Sequence, residues 1–202
     1  MGRHNSEHNV ENAKKMKEFK EIIKFLSGFM PWILFLFLSG HTLASLEKSI
    51  IICLLASLIF GFRELRKGFI LQWGTLLFFA GCAITLNLMN VIFVAKNMGI
   101  ISNGFLASLI WVTILIGKPF TLQYARADLP KERWDDPKVM RSCRFIAIIW
   151  ALLLTFSTSI SYFKALNPTL YPDWIYFDIS IGIILGGIIF TSLYKKYKRS
   201  QR

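Results

Sequence analysis

This sequence is short of charge. Only 18% of its 202 residues are Asp, Glu, Lys or Arg, against 54% hydrophobic and 15% aromatic. A water-facing domain carries about 25% charged residues, so this chain has too little charge to coat a soluble surface. A mean hydropathy of +0.48 excludes a disordered polymer as well. Cysteine is scarce too. Cys53, Cys82 and Cys143 lie in or beside apolar runs and form no C-x-x-C pair, which excludes a disulfide framework or a zinc or redox centre and leaves buried thiols. Catalytic signatures are missing: no H-E-x-x-H, G-x-S-x-G, Walker loop or G-x-G-x-x-G occurs, so enzyme chemistry, metals and cofactors have no visible foothold. What remains is an integral membrane protein, all-α, with its helices gathered into a polytopic bundle.

Six apolar runs are present: Phe25 to Leu43, Ser49 to Phe62, Gly68 to Val94, Met98 to Gly117, Cys143 to Phe163 and Trp174 to Leu193. The second is short, since fourteen residues of helix cover only ~21 Å of a ~30 Å hydrocarbon core. Its helix is therefore expected to start near Thr42, carrying Glu47 and Lys48 close to the interface. The alternative is a re-entrant hairpin. Residues 25–194 are thus read as six transmembrane helices, with 195–202 a basic tail. Thr42-Leu43-Ala44 resembles a cleavage site, but a 24-residue lead suits an uncleaved first helix better. From Val10 onward the apolar Val10, Ala13, Met16, Phe19, Ile22, Ile23 and Leu26 recur at helical spacing, opposite Lys14, Lys17, Glu18, Glu21 and Lys24. That pattern predicts an amphipathic helix on the membrane surface.

The net charge of +12 has a topological explanation. In a six-span chain, 21 of the 24 Lys and Arg fall on one side, leaving Lys48, Lys96 and Lys164 on the other. Such a split follows the positive-inside rule, placing both termini in the cytoplasm. Basic residues confined to span flanks do not make a nucleic-acid surface, so no nucleic-acid partner is expected.

One connection is long. From Lys118 to Ser142 it reads KPFTLQYARADLPKERWDDPKVMRS. Pro119 ends the fourth helix, and Asp128 and Asp136, each just ahead of a proline, resemble helix starts. Short surface helices are expected, with Phe120, Leu122, Tyr124 and Trp134 towards the headgroups. Lys118, Arg126, Lys131 and Arg133 are candidates for an anion site that takes lipid headgroups or a phosphorylated ligand; the alternative is ordinary cytoplasmic charge. Asp135 and Asp136 lack a third ligand, and capping accounts for Asp136.

Within the spans, ionisable and amide side chains are candidates by their cost alone. Asp178 lies one turn into the last helix, and His41 and Glu47 are near the same outer face. Asn87 and Asn90 share a helical face, and Asn103 is on the next helix; interhelical hydrogen bonding is their expected use, ahead of a pore lining. Gly182 and Gly186, followed by Gly187, form a G-x-x-x-G that lets another helix or a second copy approach closely.

The order of features resembles the bacterial inner-membrane septation protein A family, small multi-span proteins linked to cell division and envelope maintenance. The resemblance rests on Phe29-Met30-Pro31, the tight hairpin after it, Phe62-Arg63 with Arg66-Lys67, Leu71 to Leu86 with Gly81, Lys118-Pro119, Trp150-Ala151, and Trp174 to Lys195. The chain departs from it at Phe120 to Arg126, at Trp134-Asp135-Asp136-Pro137 and at Ser142-Cys143-Arg144. The resemblance implies an inner-membrane, non-catalytic scaffold of the cell envelope, with membrane lipids, division or envelope proteins, or a second copy as partners. A small transporter or channel is the alternative, and an enzyme working on lipid or a phosphorylated substrate at the 118–142 loop is a third.

Overall fold

The computed structural model describes residues 28–40, 42–89, 91–170 and 172–200, together with Met16. Among them there are helices, turns and short connections, and no strand. The expected amphipathic helix of residues 1–24, His41 and Asn90 lie outside the described residues, as does the side chain of Asn87.

Helix α1 covers Met30–Leu38, with Pro31 in its first turn, where the missing N–H costs nothing. Helix α2, Leu43–Arg66, starts where the short second run requires. The Thr42 hydroxyl accepts from the Ser45 N–H (3.2 Å) and the Ser45 hydroxyl from the Thr42 N–H (3.3 Å), a reciprocal cap. Its 24 residues are long and apolar enough to cross a bilayer, whereas the nine residues of α1 are not. Gly68, at φ +71°, turns the chain into α3, Ile70–Ala83. The third run, expected to be one span, is interrupted: α3 widens into a π turn over Ile84–Leu88, and a short helix α4, Ile92–Lys96, follows.

Helix α5 spans Met98–Leu115 and ends at Gly117, φ +74°. The long connection folds as α6, Phe120–Asp128, and a single 3₁₀ turn, Lys131–Arg133. Asp128 is therefore the last residue of a helix and not the start of one, because Leu129, ahead of Pro130, is extended as a residue before proline must be. Asp136 does start a helix. Its carboxylate accepts from the Lys138 N–H (2.9 Å), opening α7, Pro137–Leu166. Helix α8, Asp173–Ser200, carries its helical conformation through Lys195 to Lys198. Among the described residues four helices have the length and hydropathy to cross a membrane: α2, α5, α7 and α8 from Trp174 to Lys198; the apolar Ile70–Leu86 stretch is shorter.

α5 lies along α7 over most of its length, α2 sits between α1 and α3, and α8 rests on α7 and is the least buried of the four long helices. Three tryptophans join neighbouring helices in the same manner. The Trp32 indole N–H donates to the Thr75 hydroxyl (2.9 Å, α1 to α3), Trp111 to Thr155 (3.1 Å, α5 to α7) and Trp150 to Thr191 (3.0 Å, α7 to α8). Each threonine hydroxyl in turn donates to the carbonyl four residues back, Leu71, Ala151 and Gly187 respectively. The proton of each hydroxyl is thus committed to its own helix, leaving a lone pair for the indole. Around the first pair, Trp32, Phe35, Phe78, Phe79 and Phe105 interlock at centroid separations of 4.9 to 5.6 Å. Gly74 lets Leu109 of α5 press directly on α3, where any Cβ would collide with its methyl groups.

Thr75→Val keeps the shape and strands the buried Trp32 N–H. It is expected to lower stability in detergent by about 1 kcal/mol. In the Trp32→Phe background the same change should cost less, and equal costs would show that the bond contributes nothing.

Candidate functional site

The two ends of the bundle differ. At the end bearing the α2–α3 and α5–α7 connections, α6 is packed inward. Phe120 is fully buried, and Leu122 and Tyr124 nearly so, so these side chains do not face headgroups as expected. The amphipathic pattern of α6 turns its aromatic face to the core. Phe120 meets Phe29 edge-on at 6.0 Å, and Tyr124 meets Phe69 at 5.0 Å. Burial raises the Tyr124 phenol well above its ordinary range, and the Glu64 carboxylate adds to the push, so the hydroxyl stays neutral. Polar bonds seat the helix as well. The Phe120 N–H donates to the Thr113 hydroxyl (3.2 Å) and the Thr121 hydroxyl to the Cys143 carbonyl (2.7 Å). Gln123 accepts from the Ile70 N–H (2.9 Å), capping α3 from a distant part of the chain.

The four candidate cations of this connection, Lys118, Arg126, Lys131 and Arg133, are divided by its own carboxylates. Arg126 pairs with Asp135 at 3.0 Å and lies over the Trp134 ring at 5.7 Å, while Arg133 reaches Asp136 at 3.6 Å. Lys118 and Lys131 are exposed. Trp134, half-buried, donates its indole N–H to the Leu129 carbonyl (3.1 Å).

At the opposite end a cavity of about 960 Å³ opens between α1, α5, α7 and α8. Its mouth carries Ser39, Gly40, Lys96, Asn97, Lys164 and Pro168. A band of hydroxyls and an amide follows, from Ser102, Asn103, Ser157, Ser161 and Ser180. The floor is Phe29, Trp32, Leu106, Trp150, Leu154 and Ile188. Trp150 stacks on Phe29 at 5.3 Å, which closes the cavity towards the basic end. The Asn103 amide donates to the Ser161 hydroxyl (3.1 Å) and to the Gly99 carbonyl (2.9 Å), tying α5 to α7 along one wall. Lys164 is held at the mouth with its ammonium 5.1 Å from the centroid of the Tyr176 ring. The lining therefore presents positive charge and hydrogen-bonding groups above an apolar base.

Of the residues singled out from sequence, Asn103 lines this cavity. Asp178 is exposed on α8 and outside the lining. Gly182 and Gly186 face open space, whereas Gly187 seats the Trp150 ring, so α7 uses the third glycine of that stretch. Lys118, Arg126, Lys131 and Arg133 belong to the other end. The residues that sequence reading missed are Lys96, Ser102, Ser157, Ser161, Lys164 and Ser180. A signal for some of them was present: Trp150, Leu154, Ser157, Ser161 and Lys164 recur at helical spacing on one face of α7, graded from apolar to charged. No family model, no curated protein and no solved structure matches this chain.

Gln123→Ala removes the acceptor at the α3 N-terminus and is expected to destabilise the protein by about 1 kcal/mol. Gln123→Glu keeps an acceptor and adds a charge favoured at a helix N-terminus. Thermal melts in which the two variants fall equally would dismiss the cap.

Proposed function

We propose that this chain is a six-span inner-membrane protein, with both termini cytoplasmic, that works without covalent chemistry by holding a small amphipathic molecule in its intramembrane cavity. One observation carries this reading: a cavity of about 960 Å³ between four helices, polar at one end and aromatic at the other. That size lies at the upper end of the roughly 300–1,000 Å³ range of small-molecule sites, which are lined in the same manner. Its place at the end carrying Lys96 and Lys164, opposite the basic end, puts its mouth on the outer side in the six-span topology. A membrane carrier or a ligand-gated regulator would use such a site alike; the carrier belongs with the transporter alternative read from the sequence, and the regulator with a non-catalytic envelope protein.

An envelope scaffold is the second reading. The septation-type order of motifs supports it, and so does the open Gly182 and Gly186 face on the least buried long helix. Closely approaching helices need small residues of that kind, and a second copy or a division protein would fill the space.

Native mass spectrometry of protein extracted from membranes separates the two. Under the binding reading, wild type retains a small molecule that the cavity-filling Ser157→Trp loses and Gly186→Leu keeps. Under the scaffold reading, Gly186→Leu dissociates a complex, and Ser157→Trp makes no difference. The topology has its own check. Reporter fusions after Arg66 and Pro130 should read cytoplasmic, and those after Asn97 and Pro168 external. An external signal after Pro130 would overturn the orientation, because the most basic connection sets it.

A further inference from the structure

We propose that the occupant of the cavity is an acyl amphiphile with an anionic head, such as a fatty acid. The head lies between Lys96 and Lys164, and the chain runs down to Trp32 and Trp150. This rests on the binding reading above and specifies its ligand class.

Charge is the first argument. Lys96 and Lys164 line the mouth, and no Asp or Glu lines the cavity among the described residues. Two cations in a lining walled by low-dielectric helices favour an anion over a neutral or cationic ligand. The second argument is length. From Lys164 down to Trp150 the α7 face runs fourteen residues, a rise of ~21 Å, so charge and apolar floor are a chain length apart. An ion or a small polar solute would leave most of that floor unused.

The third argument is an unfilled bond. Ser157 is 5% exposed and lines the cavity midway. Among the described residues its hydroxyl makes no hydrogen bond. Thr155, Thr158 and Ser159, on the same stretch of α7, all donate to the carbonyl four residues back. The hydroxyl opens on the cavity, and Ser157 sits where a chain carbonyl, hydroxyl or bound water of the occupant would meet it.

Entry follows from the side walls. α1 and α8 flank the cavity, and their ring contact is Phe37 on Phe177, edge-on at 5.8 Å, at the mouth. Below that pair, α1 presents Ile33 and Leu36 and α8 presents Ile183 and Ile184. The seam is apolar, so a chain can pass from the bilayer between the two helices while its head stays at the interface. Burying each methylene is favourable by about 0.8 kcal/mol only relative to water. In a bilayer the head therefore decides selection, and the lysines supply it.

The test uses the full-length protein in nanodiscs of neutral phosphatidylcholine. The probes are 16-doxyl-stearate and its methyl ester, and quenching of tryptophan fluorescence is followed as each is added. The acid should quench saturably, and unlabelled oleate should compete. The ester should bind about tenfold more weakly or worse, as loss of a charge-assisted contact requires. Lys96→Gln with Lys164→Gln should reduce acid affinity by a similar factor, to about the level of the ester, while saturable ester quenching persists, which also shows that the variant is folded. Ser157→Trp should abolish saturable quenching by both probes. Equal affinity for acid and ester, indifferent to the lysines, would overturn the anionic class while leaving the cavity a binding site. Unsaturable quenching that is the same in wild type and Ser157→Trp would be partition into lipid alone, and it would overturn both readings.

Discussion

An indole N–H cannot be left unbonded where water is absent, and this bundle is arranged around three of them. Trp32, Trp111 and Trp150 each deliver that proton to a threonine on the neighbouring helix, and the threonine is already bonded to its own backbone. The bond is directional, so it sets more than proximity. In a bilayer, lipid chains are as apolar as leucine and hydrophobic burial does not decide which helix faces which. A donor and an acceptor that must meet at one height and one rotation can decide it. Two of the pairs, Trp32 to Thr75 and Trp150 to Thr191, join α1 to α3 and α8 to α7.

The same two bonds define the cavity. Trp32 and Trp150 form part of its floor, yet their polar edges point away from it, to α3 and α8. Phe29 stacks on Trp150, and Phe120 of α6 backs Phe29 from the basic side. An apolar floor in direct continuity with a hydrogen-bonded scaffold is therefore a consequence of where the indole protons went. Removing Thr191 would disturb the α7–α8 contact and the floor together.

Much of the helical layout was legible because its causes are local. Thr42 and Ser45 cap each other three residues apart, Pro119 lies just past the α5 terminus, and Asp136-Pro137 starts α7. Causes that act across the chain were not legible. Gln123 caps a helix that begins 53 residues earlier, and no local pattern announces that. The periodicity of α6 shows that Phe120 and Tyr124 share a face, but a membrane surface and a protein core accept the same face equally. The π turn at Ile84–Leu88 replaced an expected straight span, though Asn87 in an apolar run was its only hint. For the cavity, the graded face of α7 was readable in principle. Its partner walls came from α1 and α8, whose positions depend on the tryptophan bonds and hence on contacts more than 40 residues apart.

The contrast between the two ends bears on how such a protein would work. At the basic end α6 is locked by Thr113, Thr121 and Gln123 and by the aromatic contacts of Phe120 and Tyr124. Its arginines are turned to Asp135 and Asp136. Opening the cavity to that side means separating Phe29 from Trp150 and withdrawing Phe120, a rearrangement of several packed rings at once. At the other end, entry needs only that the Phe37–Phe177 contact yield. A carrier must visit both states, and a binding protein or ligand-controlled scaffold needs only the second. The packing thus favours occupancy from one side. Any transport would have to draw on a ligand whose binding differs between the two states by enough to move α6.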